Sequence, residues 1–308
     1  MSLFLAIPTI VADAIASIPA DAEILVSDSA GLNPVILYRL PAAALLTAIV
    51  LVVFARHHSR RNTQSPPAAI GPSISPLLLF ATGFGLFFLT HLLGGLTVGL
   101  VPAPHDGEHL VRSASAAACV YGWAIVLSAL AWLWARRFLY EPQKSVRFLN
   151  LLRGVLWLAP LIPVLVLVSD SAVVVHTLLT GRPPNPIAHA TLEQIVHEPW
   201  RPAAQILMAG AILGAPVFEE TVYRGFLQSA WGRVLKNRWL AITLTAVLFA
   251  LSHRIGIEPV PWHAIPSILV LGMACGYVFE RHGLLAAIGL HAAFNAANLT
   301  LALVLVDS

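Results

Sequence analysis

Long apolar runs decide what this chain can fold into. Read against the Gly, Pro and charge clusters, they fall at about 36–55, 76–101, 113–135, 154–175, 202–227, 239–253, 266–280 and 284–306. Runs of about 18–25 apolar residues cross a hydrocarbon core of about 30 Å as helices, because a helix satisfies its own backbone polar groups where water is absent. The chain is 58% hydrophobic and 11% charged, so little of it could face water on all sides. The expected fold is all-α: a polytopic membrane helix bundle of about eight transmembrane helices, with the lipid bilayer as its first partner.

Charge and punctuation organise the rest. The chain divides loosely into an N-terminal interfacial segment (1–35), an N-terminal four-span membrane region (36–200) and a C-terminal region (201–308) where polar intramembrane residues gather. The first twenty residues are apolar but lack a basic stretch ahead of them, and Pro8, Asp13 and Pro19 interrupt them, which reads as interfacial rather than as a cleaved signal. The loops after the first, third, fifth and seventh spans carry Arg56, Arg60, Arg61, Arg136, Arg137, Lys144, Arg147, Arg153, Arg233, Lys236, Arg238 and Arg281, and the alternate loops are poor in Lys and Arg. The positive-inside rule places the basic loops in the cytoplasm and both termini on the opposite side. These cations are scattered between spans and form no tract with interleaved aromatics, so the net charge of +3 gives no reason to expect nucleic acid. Cys119 and Cys275 lie far apart in different spans, which points to neither a disulfide framework nor a cysteine zinc site.

An ionisable side chain at the centre of a membrane helix costs about 3 kcal/mol on insertion scales, so those inside spans need a partner and a reason. The fifth span carries Glu219, Glu220 and Arg224. On a helix Glu220 and Arg224 share a face, so the guanidinium can neutralise Glu220, while Glu219 sits about 100° round the axis and stays available as a general base. The sixth span ends with Phe249 and His253 four residues apart, and the eighth carries His291 and Asn295 at the same spacing. Each motif alone is also explained by a charge cluster at the membrane surface or by interhelical hydrogen bonding. Together they are the residue types that amide hydrolysis requires: a carboxylate to deprotonate water, imidazoles to share the proton or bind a metal, and an amide to face an oxyanion. At 1.5 Å per residue His291 lies about 12 Å below a boundary at Gly283, whereas His253 lies about 20 Å past Trp239, so its helix must tilt or begin outside the membrane to meet the others. His91 and Asp170 are isolated and read as interhelical hydrogen-bonding residues, and His105, His109 and Arg112 as solvated loop residues.

In that order, Glu219-Glu220 with Arg224, Phe249 with His253, and His291 with Asn295 resemble the motifs of the CPBP family, the CAAX-type prenyl endopeptidases and bacteriocin-processing intramembrane proteases also called Abi proteins. Tyr223 through Leu227, Gly272 with Gly276, and Arg281 with Gly283 also resemble it; the likeness covers about 202–300. The resemblance implies an intramembrane endopeptidase acting on a protein or peptide substrate, with Glu219 as base, Glu220 and Arg224 supporting it, His253 positioning the water, and His291 and Asn295 stabilising the oxyanion. The cofactor stays open: if a divalent ion such as zinc is used, Glu219, His253 and His291 are its donors. No His-Glu-x-x-His helix is present, since His197-Glu198 runs into Pro199. Composition favours a multi-pass protein of a bacterial inner membrane. A non-enzymatic immunity scaffold or a proton- or cation-coupled transporter is the alternative reading of the same carboxylates.

Overall fold

The computed structural model describes residues 34–61, 74–102, 109–135, 147–184, 190–255 and 259–306. The expected interfacial segment up to residue 33, together with His105, Arg136, Arg137 and Lys144, lies outside the described residues. No strand occurs among the described residues. The helices are α1 (Pro34–Arg61), α2 (Pro76–Val98), α3 (His109–Ala135), α4 (Arg147–Thr180), α5 (Ala190–His197), α6 (Pro202–Leu235), α7 (Arg238–Ser252), α8 (Ile265–His282) and α9 (Leu284–Val306). Seven of them are long and apolar enough to cross a membrane, which makes this a multi-pass helical bundle.

The exception among the expected spans is α7. Its 15 residues rise about 22 Å, less than the roughly 30 Å of a hydrocarbon core. The chain enters it through two local devices: Lys236 ends α6 in the left-handed conformation (φ 52°), and the Asn237 side chain accepts from the free N–H groups of Trp239 and Leu240. It leaves at Ser252, where His253 caps the helix. Between α8 and α9 the chain reverses at Gly283, whose φ of 84° with an extended ψ is open only to glycine.

Two further expectations are corrected. His109 and Arg112 belong to the first turn of α3 and not to a loop. Helix also extends past the expected end of the fourth span at about 175: α4 continues to Thr180, and the separate helix α5 turns Leu192, Ile195 and Val196 to one side at helical spacing. Ile195 and Val196 are buried, and Ile195 packs with Leu110 and Ala114 of α3 and with Ala203 and Ala204 of α6.

By contact the helices form two compact units. One holds α1 up to Arg60 and α4 from Pro163; there Arg39 of α1 makes a two-pronged ion pair with the buried Asp170 of α4. Asp170 thus links helices as expected, but through charge. The other unit holds the first half of α4 and all remaining helices. At its centre runs α6, in which every residue from Glu220 to Gln228 is buried. Phe218, Val222, Tyr223, Phe226 and Leu227 of α6 pack with Leu79 and Leu86 of α2, Ala124 of α3 and Phe249 of α7.

Without a hydrophobic driving force between helices in lipid, close backbone approach carries much of the association. It is tightest between α4 and α9, where a Cβ on Gly154 would lie 2.0 Å from the Ala286 carbonyl oxygen and one on Gly289 would lie 2.3 Å from that of Leu151. Neither obstacle is a side chain that can swing away. Gly154→Ala and Gly289→Ala should each cost about 1–3 kcal/mol by forcing the helices apart, whereas Gly122→Ala, with open space around it, should be neutral. Thermal unfolding in detergent reads the difference; a wild-type midpoint for Gly154→Ala would show that the two backbones do not meet there.

Candidate functional site

Glu220 and Arg224 are both fully buried, and Arg224 Nη1 donates to Glu220 Oε1 at 3.0 Å, as the helical spacing requires. Two other helices meet part of the rest of the guanidinium, while its buried Nε has no hydrogen-bond partner among the described residues. Nη2 donates to the Gly272 carbonyl of α8 at 2.9 Å, and the cation lies 4.5 Å from the centre of the Phe249 ring on α7. One turn further, Gln228 donates to the Gly276 carbonyl at 3.1 Å and to Glu280 at 3.0 Å. Arg224 and Gln228 on α6 therefore pair with Gly272, Gly276 and Glu280 on α8, rung by rung. Gly272 and Gly276 also admit Ala246, Phe249 and Ile242 of α7, the close packing expected of them.

His291 of α9 bridges the two glutamates. Its Nδ1 is 2.8 Å from Glu220 Oε1, and its Nε2 is 3.8 Å from Glu219 Oε2. A carboxylate oxygen only accepts, so the hydrogen of this bond belongs to His291 Nδ1. Glu219 differs from its neighbour in exposure, as the spacing leads one to expect: its side chain is 22% exposed against 0% for Glu220. Among the described residues the buried Oε2 of each has no hydrogen-bond partner.

Phe249 does more than accompany His253. Its ring packs edge-to-face with Tyr223 (5.2 Å between centres), His253 (4.8 Å) and His291 (5.7 Å) while its face receives Arg224. Both imidazoles are therefore held against one aromatic ring. His253 caps the short α7 and donates Nδ1–H to the Phe249 carbonyl at 2.8 Å, which leaves its Nε2 as an acceptor. It makes no hydrogen bond or ion pair with either glutamate; the imidazole that reaches them is His291.

Asn295 sits one turn beyond His291, and its amide nitrogen donates to the Ala211 carbonyl at 2.8 Å. That carbonyl is free for a local reason. Around Gly210–Gly214 the helix widens into a π turn in which the Ala215 N–H reaches back five residues to Gly210. The next bond in that register would come from residue 216, which is a proline without an N–H. A second π turn, Thr221–Gln228, carries Arg224. Tyr121 of α3 fills the first widened turn, where a Cβ on Gly210 or Gly214 would fall within 2.8 Å of its ring.

Among the described residues no three His, Cys, Asp or Glu side chains are grouped to hold a metal ion. Of the expected donors, Glu219 and His291 approach each other, but His253 is not joined to them. The set Glu219, His253 and His291 does not fit a three-ligand site of the kind zinc takes.

Sequence reasoning missed Gln228, Glu280, Tyr121 and the Ala211 carbonyl. The first two had a signal, because Gln228 lies four residues after Arg224 and Glu280 four after Gly276, so both extend a polar stripe along apolar helices. Among the described residues His91 makes no interhelical hydrogen bond: it bonds to the Phe87 carbonyl of its own helix and touches Phe218 through its ring.

A multi-pass helical membrane protein whose central helix carries a buried carboxylate–guanidinium–imidazole cluster is the class that this fold and site define. The family model described as type II CAAX prenyl endopeptidase Rce1-like matches residues 201–297, the segment that holds all three motifs, and agrees with the resemblance read from the sequence. The match runs from the start of α6 into α9, and the helices before α6 lie outside it. Neither the curated proteins nor the solved structures searched contain a match.

Removing one partner of a buried ion pair strands the other, at a cost of about 3–5 kcal/mol. Arg224→Met should therefore lower the melting midpoint sharply, and adding Glu220→Gln to it should recover part of the loss. A single variant that melts like the wild type would mean that the pair is not buried in the membrane-embedded protein.

Proposed function

We propose that the C-terminal region 201–308 is an intramembrane endopeptidase that hydrolyses a peptide bond of a CAAX-type or other membrane-anchored protein or peptide, with Glu219 activating the water. The single observation that carries this reading is His291 standing between two carboxylates of unequal exposure. Glu220, neutralised by Arg224, fixes the ring through Nδ1–H, and Glu219 faces Nε2. Water loses a proton to Glu219 as its oxygen adds to the scissile carbonyl carbon. That proton is delivered to the departing amine nitrogen, directly or by way of His291 Nε2, and Glu220 balances the charge while it rests on the ring. His253 Nε2, left as an acceptor, holds the second hydrogen of the water. Asn295 has one N–H committed to Ala211 and one left for the oxyanion. Phe249 keeps both imidazoles in place. Composition points to a bacterial inner membrane as the setting.

The test is cleavage of a quenched, prenylated CAAX peptide and of its unprenylated counterpart by the purified protein in proteoliposomes. Glu219→Gln should lower kcat by about 10²–10⁴-fold, the usual worth of a general base, with KM little changed and the fold intact. Asn295→Ala should lower kcat as well, and should also loosen the first π turn, read as faster proteolytic nicking near residue 211. Glu219→Gln cleaving at the wild-type rate would falsify the mechanism.

A further inference from the structure

One end of the larger unit collects cations and aromatic rings from helices far apart in sequence. Trp157 of α4 meets Tyr277 (5.6 Å) and His282 (6.4 Å) of α8, and Tyr277 stacks on Trp239 of α7 (5.8 Å, 12° between planes). Arg281 lies over Tyr277 at 5.0 Å and Arg238 over Trp239 at 5.4 Å. Arg233 and Lys236 end α6 at the same level, where Lys236 turns the chain into α7. Among the described residues at this end the one acid, Glu280, is turned inward to Gln228.

Beside Trp157 a groove of about 290 Å³ opens on the outer side of α4, lined by Arg153, Leu156, Trp157 and Pro160. Pro160 lacks a long side chain and leaves the groove its depth, while Leu156 and Trp157 make apolar walls. Leu149, Leu152 and Leu156 around it are 45%, 42% and 61% exposed, the pattern of a helix face turned to hydrocarbon. In that apolar surface Arg153 is exposed, and Asn150 Oδ1 accepts from its Nη1 at 2.9 Å, which fixes where the cation sits. A guanidinium above an apolar groove, at the basic and aromatic end of a membrane helix, matches one chemistry: a phosphate joined to an acyl chain.

We propose that this groove binds an anionic phospholipid, its phosphate on Arg153 and the upper part of one acyl chain along Leu156, Trp157 and Pro160. The exposed guanidinium of Arg153 favours an anionic over a zwitterionic headgroup. Nothing in the proposal depends on the carboxylates of α6, and it stands or falls apart from the proteolytic reading.

Native mass spectrometry of the delipidated full chain in detergent tests it, with dioleoyl phosphatidylglycerol, dioleoyl phosphatidylcholine and soluble glycerol 3-phosphate as separate probes. The wild type should prefer phosphatidylglycerol over phosphatidylcholine, and Arg153→Gln should lose about fivefold in affinity for the anionic lipid, the worth of one basic side chain at an anionic surface. Arg153→Lys should keep the preference, and Trp157→Ala should weaken both lipids equally. Because Arg153 is exposed, the Gln variant should melt like the wild type. Equal retention of the two lipids by the wild type, or an undiminished preference in Arg153→Gln, would overturn the proposal. Glycerol 3-phosphate binding as tightly as the lipid would also overturn it, since the groove would then contribute nothing.

Discussion

A guanidinium and a carboxylate with no exposure to solvent set the terms for everything around them. Burying either alone costs several kcal/mol, and their mutual attraction repays it only when the remaining donors and acceptors are also met. Three other helices supply part of what α6 cannot: a carbonyl from Gly272 on α8, the Phe249 face on α7 and the His291 ring on α9; Arg224 Nε and Glu220 Oε2 have no partner among the described residues. Each contact fixes one neighbour against the central helix. The pair thus works as a template for assembly, and the position of His291 follows from it.

Much of this was legible in the chain, for reasons that can be named. Apolar run length locates the helices because lipid forbids unsatisfied backbone. Four-residue spacing pairs Glu220 with Arg224 and separates Glu219 because an α-helix has a fixed pitch. What stayed hidden depends on departures from that pitch or on tertiary partners. The π turn at Gly210–Gly214 arises from the helix ladder meeting Pro216, and only the fold shows that Asn295 takes the carbonyl thereby released. Spacing alone could not show which imidazole reaches the glutamates: His253 bonds to its own helix while His291 reaches across to α6. The apolar stripe of α5 was concealed by polar neighbours, being only eight residues long.

The helices ahead of the motifs are not a bystander half. Gly83 of α2 lets the Phe226 and Leu227 side chains of α6 approach closely, and Tyr121 of α3 occupies the widened turn that precedes Glu219. A helix with nine consecutive buried residues, four of them polar and carrying two opposite charges, needs walls on every side. The N-terminal helices α2 and α3 provide one of those walls, and α7, α8 and α9 provide the polar partners.

The shortness of α7 reaches beyond the protein into the surrounding bilayer. Just past its end Arg254 lies over Trp262 at 4.4 Å and donates to the Val260 carbonyl, a cation and an exposed aromatic of the kind that settles at a headgroup boundary. That boundary marker arrives about 8 Å before a helix of full span would have crossed. Lipid beside α7 must therefore thin, or water must fill the step, and a hydrophobic mismatch of this size is relieved at modest cost per ångström. Because His253 caps this helix, such a step in the bilayer would open beside its ring, and on the proteolytic reading proposed above that is the side from which water would enter.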